Sequence, residues 1–326
     1  MSARVGAEPQ QVGSAVGVDL GGTNVRAALV DLAGGGVIIT EVKSPVDDHR
    51  PEAVADLVAA EVRRVDPTGR YGVGIGFAGM LRGWSGVVAN APNYGWREVD
   101  LRGLVRARLG PAVEIYNDMN AIAYGEATFG AARGAPDVLC VFVGTGIGAG
   151  LVTDGRLYIG ASHLAGEFGH MKVVREGRLC GCGQRGCIEA YASGRNLAAR
   201  AHEDFEAGVR SLAIELAGGS VDSVHAGHLD QAARSGDPYA QALWAEVALL
   251  LGQSLANAVT LLNPSRVVLG GGVWEGAPEL RRLTLTAYSE AVNAPSGEAA
   301  VIVASALGDT AGVLGAAALI ACRPTA

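Results

Sequence analysis

Residues 16–31, VGVDLGGTNVRAALVD, run from an apolar strand through a breaker, LGGTN, into a second β-rich segment. Residues 138–160, VLCVFVGTGIGAGLVTDGRLYIG, repeat the order strand, glycine turn, strand about 125 residues later, then add a further turn and strand. Two such segments in one chain predict a duplicated α/β architecture with two lobes. A glycine turn also lets backbone N–H groups approach an anion closely, because no Cβ intervenes. Asp19 precedes the first turn, which holds Gly21, Gly22, Thr23 and Asn24; Thr145 sits in the second among Gly144, Gly146, Gly148 and Gly150. Each turn alone reads equally well as a plain hairpin. Together they could clasp a polyphosphate from two sides.

Working outward, residues 1–15 read as a flexible tail and 51–66 as a helix that opens at Pro51. YGVGIGFAGM (71–80) reads as a buried strand running into a loop, ANAPNYGWREVDL (89–101) as loop, and LRGLVRARLG (101–110) as a short helix. Residues 193–205 and roughly 229–262 are expected to be helical, with a break at Pro238, and 309–321 to form a closing helix. RVVLGGGVW (266–274) reads as a strand ending in a glycine turn.

Gly74-Ile-Gly76-Phe-Ala-Gly79 matches the dinucleotide pattern G-x-G-x-x-G, but that pattern needs a helix to follow directly. The following MLRGWSGVV reads as turn and strand, so dinucleotide binding is not expected. No G-x-x-x-x-G-K-[ST] occurs either.

VEIYNDMNAIAYGEATFGA (113–131) is a strand that becomes a helix at Asn117-Asp118. Ligands gather at the carboxyl ends of strands in α/β sheets, and a carboxylate there can take a proton from a substrate hydroxyl. The same position suits an ordinary helix cap, a role open to Asp118, Asn117 and Asn120 alike.

His170, Cys180, Cys182 and Cys187 form the spacing H-x9-C-x-C-x4-C, which reads as one tetrahedral zinc site. Glu167 lies three residues before the histidine and Glu189 two after the last cysteine, so a metal knot here would pin two carboxylates beside a polar pocket. A disulfide or buried free thiols are the competing readings. The five cysteines are an odd number and the start of the chain lacks an apolar signal core, so a cytoplasmic location with reduced thiols is expected.

The chain has 326 residues, 49% hydrophobic and 18% charged, with 48 glycines and a net charge of −7. That balance supports a globular core rich in tight turns. It excludes the clustered basic surface that nucleic acid requires, and no nucleic-acid partner is expected. The apolar stretch 245–262 is interrupted by polar residues and glycine, so it reads as a buried helix and no membrane partner is expected.

From about Val16 to Ala321 the chain resembles the ROK (repressor, open reading frame, kinase) sugar kinases, and within them the bacterial ATP-dependent glucokinases. The resemblance rests on DLGGTN (19–24), NDMNA (117–121), GTGIGAG (144–150), GEFGH (166–170), CGCGQRGCIE (180–189) and LNPSRVVLGGG (262–272), in that order. It implies an actin/hexokinase-like (RNase H-like duplicated) fold with a cleft between lobes and a zinc-bound loop. The small α/β lobe would span 16–117 plus 310–326 and the large lobe 118–309.

The resemblance also implies transfer of the ATP γ-phosphate to a hexose, glucose first. Asp118 would be the general base on the 6-OH, and Gly79, Asn93, Asn117, Glu167, His170 and Glu189 would line the sugar. His170 would serve both zinc and sugar. Gly271 and Gly272 would join Asp19, Gly21, Gly22, Thr23, Asn24, Gly144, Thr145 and Gly146 on ATP and its Mg²⁺, and the zinc would be structural. A homodimer or tetramer is the implied assembly. The alternatives are a related kinase for N-acetylmannosamine, N-acetylglucosamine or fructose, or a non-catalytic sugar-sensing regulator. The regulators of the family carry a helix-turn-helix before the first phosphate motif, and the 15 residues before Val16 are too few for one. Two departures stand out: Phe77-Ala78-Gly79 replaces the usual alanine–proline–glycine form, and Tyr94 follows Asn93 where leucine or isoleucine is commoner.

Overall fold

The computed structural model describes residues 4–5 and 13–322. In chain order, β1 (Arg4–Val5), β2 (Ser14–Leu20), β3 (Asn24–Asp31) and β4 (Val37–Pro45) precede helix α1 (Pro51–Val65). Next come β5 (Val73–Phe77), β6 (Met80–Leu81), β7 (Val87–Ala91), β8 (Trp96–Asp100), α2 (Leu101–Leu109), β9 (Val113–Asn117) and α3 (Asp118–Thr128). β10 (Val138–Val143), β11 (Ile147–Thr153) and β12 (Arg156–Tyr158) lead into a long loop. Helices α4 (Glu189–Ala192), α5 (Gly194–Glu206), α6 (Leu212–Leu216), α7 (Ala226–Arg234) and α8 (Pro238–Leu262) follow. β13 (Arg266–Gly270), α9 (Gly272–Gly276), α10 (Pro278–Ala291), α11 (Ala294–Ala299), β14 (Val301–Ala304) and α12 (Ala311–Ala321) complete the chain.

The chain divides into two compact units. Unit 1 holds Met1–Cys140, Gly150–Gly166 and Ser305–Ala326; unit 2 holds Val141–Ala149 and Glu167–Ala304. The resemblance implied a boundary at 117/118, whereas the compact units part at 140/141, so α3 belongs to unit 1. The reason is its packing on α12: a Cβ on Gly315 would lie 1.7 Å from Ala121 O, so the two helices approach to backbone contact.

The sheet of unit 1 has the order β4-β3-β2-β5-β9, with β2, β5 and β9 parallel and β3 antiparallel to both of its neighbours. Its central strands are apolar on both faces because both are covered. Val16, Val18, Leu20, Ile75 and Phe77 join Val54, Val58 and Val62 of α1 in one core. On the other face α12 lies against the strands at Gly17 and Gly74, where a Cβ would meet Val313 O at 1.8 Å and Ala316 O at 2.0 Å. Gly74 is thus a packing glycine, and the G-x-G-x-x-G match is followed by β6 and not by a helix.

The segment 89–101, expected to be loop, instead forms β7 and β8, an antiparallel pair in which Ala91 faces Trp96 across a four-residue turn. Alternation was hidden there because only Trp96 and Val99 of β8 turn inward. Of the expected tail, Arg4–Val5 pairs with β12, and β2 begins at Ser14. Residues 1–3 and 6–12 lie outside the described part.

In unit 2, β13 and β14 pair in parallel. Pro238 does not break a helix but opens α8 at its first turn, with Asp237 as the cap accepting the Ala240 N–H at 2.8 Å. By length and composition α8 would suffice to cross a membrane, but half of its apolar window is buried, and it packs along α10 and α7 as a core helix. β4, α10, α11 and β14 had no distinct sequence signal.

Candidate active site and metal centre

The site residues of unit 1 meet because three parallel strands end in register. Leu20 of β2 pairs with Phe77 of β5, which pairs with Asn117 of β9. Their carboxyl ends therefore present the first glycine turn, the Gly79 loop and Asn117-Asp118 side by side. In the glycine turn every carbonyl is engaged. Leu20 O accepts from Ala78 N–H at 3.3 Å, Thr23 O from Val46 N–H at 2.9 Å and Asn24 O from Gly21 N–H at 3.0 Å. Gly21 O accepts from the Tyr94 hydroxyl at 2.6 Å and Gly22 O from His49 Nε2 at 3.0 Å. The Gly21 N–H is thus spent inside the turn, while the carbonyls are held by neighbouring segments, which leaves the N–H groups after Gly21 as the candidates for an anion.

Asp19, two residues before Gly21, is driven upward in pKa by burial and by Asp309, with Arg26 opposing. Arg26 in turn reaches Glu41 at 2.9 Å and Asp309 at 3.4 Å.

The competition for the cap of α3 is resolved by geometry. Asn117 has extended backbone and its Oδ1 accepts the Asn120 N–H at 3.2 Å, so Asn117 is the cap. Asp118 is the first helical residue, its Oδ1 accepting the Met119 N–H at 2.9 Å. The Asn117 amide also donates to Gly79 O at 3.3 Å, tying the cap to the neighbouring loop. Asn93, in the β7–β8 turn, supports the glycine turn: a Cβ on Gly22 would lie 3.2 Å from the Asn93 Cβ. Gly21, Gly22, Gly79, Asn93, Asn117 and Asp118 are thus linked within unit 1.

Unit 2 gathers a second set. Gly144 N–H bonds Gly146 O at 2.9 Å, closing the second glycine turn. The turn is seated on the start of α5, where Gly194 N–H donates to Gly144 O at 2.8 Å. Gly271 and Gly272 come beside it: a Cβ on Gly144 would lie 3.8 Å from Gly272 N, and Gly271 adopts φ +96°, a conformation open to glycine. Gly144, Thr145, Gly146, Gly271 and Gly272 therefore lie together in unit 2.

Glu189 does more than its sequence position suggested. Its Oε2 accepts the Ile147 N–H at 2.9 Å, and its Oε1 lies 3.9 Å from Cys180 Sγ. A Cβ on Gly146 would come within 2.9 Å of that carboxylate. One side chain thus joins the glycine turn to the cysteine loop. Asn196 holds the backbone of Glu189 in place, donating to its carbonyl at 3.0 Å.

The ligand atoms of His170, Cys180, Cys182 and Cys187 all lie within 4.8 Å of one another. None of the cysteines is in a disulfide, which removes that reading. Cys182 and Cys187 sulfurs are 3.7 Å apart, and His170 Nδ1 is 3.7 Å from Cys180 Sγ. A tetrahedron with Zn–S bonds of about 2.3 Å has edges of about 3.8 Å, so the donor set and spacing fit zinc. The loop reaches this shape through a tight turn, with Cys180 N–H bonding Gln184 O at 2.8 Å and Gly183 in the left-handed region at φ +84°. His170 Nε2 faces Glu167 Oε2 at 3.7 Å, so one ring nitrogen looks to the cysteines and the other to the carboxylate. Burial, and the nearby Glu189, raise the pKa of Glu167 against the pull of His170.

Lys172 Nζ donates to Cys187 Sγ at 2.8 Å, a contact that sequence reasoning missed. A cation two residues after a ligand histidine was its only signal. His49 and Tyr94 were missed as supports of the first turn, lying 27 and 73 residues from their partners.

The ROK family model matches residues 15–323. The glucokinase of Streptomyces coelicolor is 37% identical over 316 residues, covering 94% of this chain and 98% of its own. A xylose repressor of Caldicellulosiruptor bescii is 32% identical over 320 residues, covering 95% of this chain and 79% of the repressor. Among solved structures, a ROK family glucokinase from Streptomyces griseus in complex with glucose and AMPPNP superposes with a TM-score of 0.77 at 37% identity, covering 94% of this chain and 98% of that one. With a family model matched over nearly its whole length and full-length relatives above 30% identity, this chain belongs to the ROK family.

Proposed function

We propose that the protein is an ATP-dependent hexose kinase that converts ATP and D-glucose to ADP and glucose 6-phosphate. The observation that carries the reading is Asp118. It stands at the carboxyl end of β9, in line with the ends of β2 and β5, while Asn117 takes the capping role that would otherwise explain a carboxylate there. In this reading Asp118 accepts the proton of the sugar 6-OH as that oxygen bonds the γ-phosphorus, while the bond from the γ-phosphorus to the bridging oxygen breaks and ADP leaves with that oxygen and its electron pair. Gly79, Asn93, Asn117, Glu167, His170 and Glu189 hold sugar hydroxyls, each of which can donate and accept.

The turns at Asp19–Asn24 and Gly144–Gly146, with Gly271 and Gly272, supply backbone donors to the phosphates. Mg²⁺ bound with the nucleotide would offset phosphate charge, and the Asp19 carboxylate offers the hard oxygen donor it prefers. Zinc on His170, Cys180, Cys182 and Cys187 is structural and fixes the loop that carries Glu167 and Glu189.

The glucokinase relatives support glucose as the acceptor. A sugar-sensing regulator is the second reading, favoured by the repressor that matches 95% of this chain. The test is ATP-dependent phosphorylation of glucose, mannose, fructose, N-acetylglucosamine and N-acetylmannosamine, with zinc-replete protein and Mg²⁺. Preference for glucose is the expected result. Preference for another sugar keeps the mechanism and moves the specificity. No turnover with any of them overturns the kinase reading in favour of the sensor.

A further inference from the structure

Phe77 and Tyr94, the two departures from the family pattern, are parts of one aromatic stack. The Phe77 ring lies 5.4 Å from Tyr94 and 5.6 Å from Trp96, and Tyr94 lies 4.6 Å from Trp96 and 4.8 Å from His49. Phe77 is fully buried and Tyr94 and Trp96 nearly so, whereas His49 is exposed. The stack ends in two polar atoms, both aimed at the first glycine turn. The Tyr94 hydroxyl donates to Gly21 O at 2.6 Å, and His49 Nε2, which must carry its hydrogen to do so, donates to Gly22 O at 3.0 Å. Trp96 fixes His49 in return, its Nε1–H donating to the His49 carbonyl at 2.7 Å.

We propose that Tyr94 and His49 are positioning residues that clamp the carbonyls of Gly21 and Gly22 and so preset the N–H groups that follow Gly21 in this turn for the nucleotide phosphates. The inference deepens the kinase reading and rests on it. A glycine turn is intrinsically permissive, and its anion-binding form has to be imposed from outside. Backbone bonds from Ala78 and Val46 secure its flanks, but its two central carbonyls depend on these side chains. The clamp also ties the turn to Asn93, the neighbour of Tyr94, which seats Gly22. Tyr94, one of the two departures, therefore acts on the phosphate side through Gly21.

The test uses the full chain, with Mg-AMPPNP affinity by calorimetry and steady-state kinetics in both substrates. Tyr94→Phe keeps the ring stack and removes one hydrogen bond, so AMPPNP affinity and kcat/KM for ATP should fall by roughly 2- to 12-fold, the factor a net hydrogen bond represents. His49→Ala should do the same, and His49→Gln, which keeps a donor, should recover most of the loss. Tm should fall by no more than the roughly 1–6 °C that one hydrogen bond represents, and KM for sugar at saturating ATP should stay at the wild-type value. Unchanged nucleotide affinity in both Tyr94→Phe and His49→Ala overturns the proposal, as does a loss matched by equal losses of sugar affinity and Tm, which would mean a loosened core. Wild-type protein that binds Mg-AMPPNP without phosphorylating any sugar refutes the kinase reading while leaving the clamp measurable. Wild-type protein that binds no Mg-AMPPNP refutes both.

Discussion

Replacing Gly315 by alanine should injure stability and catalysis together, through a displacement that can be sized. A Cβ at position 315 would lie 1.7 Å from Ala121 O, and such contacts essentially never fall below 3.0 Å, so α12 and α3 must separate by more than 1 Å. α12 has little room to retreat, because it already meets the sheet backbone at Gly17 and Gly74. α3, whose first residue is Asp118, is itself seated on Gly76 and Gly150, so the strain is shared and reaches Asp118 directly. Overpacking of this kind costs about 1–3 kcal/mol. In a unit of roughly 180 residues each kcal/mol moves Tm by about 2–4 °C, so a loss of about 2–12 °C is expected. A misplacement of about 1 Å at a catalytic group can reduce the rate by about 100-fold. Calorimetric Tm and kcat at saturating substrates read both effects, with Gly13→Ala, which meets nothing within 4 Å, as the control. A Gly315→Ala protein with wild-type Tm and kcat would refute the claim that glycine contact between these helices sets the position of Asp118.

Asp118→Asn should lower kcat by about 10²- to 10⁴-fold while the dissociation constant for sugar changes little; full activity would show that another group takes the proton. Cys182→Ser should lose zinc, measured by elemental analysis, and weaken sugar affinity through Glu167 and Glu189; normal metal content would remove Cys182 from the ligand set. Asp19→Asn should raise Tm at pH 7 while lowering phosphoryl transfer by about tenfold or more. The sign follows from the raised pKa of Asp19. A carboxyl whose folded value lies above its ordinary 3.8 favours the fold below pH 3.8, and that contribution is lost as pH rises through the folded value. The variant should accordingly show a flatter stability profile above pH 3.8, and an Asp19→Asn protein less stable than wild type at pH 7 would contradict this.

Much of the site was legible because its parts are local. The four candidate metal ligands sit within an 18-residue span, and cysteine and histidine chemistry together with glycine punctuation mark them without reference to the rest of the fold. The glycine turns and the strand-to-helix change at Asn117-Asp118 are likewise signalled by short-range pattern. The segment 89–101 was misread as loop because its strands alternate weakly and its largest buried side chain, Trp96, packs on Phe77, outside the segment.

Sequence alone determined the α/β class, the positions of both glycine turns, the His170, Cys180, Cys182 and Cys187 cluster that could hold a metal and the strand end that carries Asp118, since each is written in side-chain periodicity or in residue chemistry over a few positions. Tertiary structure alone decided that Asn117 and not Asp118 caps α3, that Glu189 joins the second turn to the cysteine loop, and that Tyr94 and His49 hold the first turn. It also decided that Gly17, Gly74 and Gly315 admit α12 to backbone contact. The cap at Asn117 is local and is settled by backbone conformation; the others share one physical reason. Hydrogen-bond direction and steric approach between segments tens to nearly three hundred residues apart are set by how the sheet and helices pack, and no local pattern encodes them.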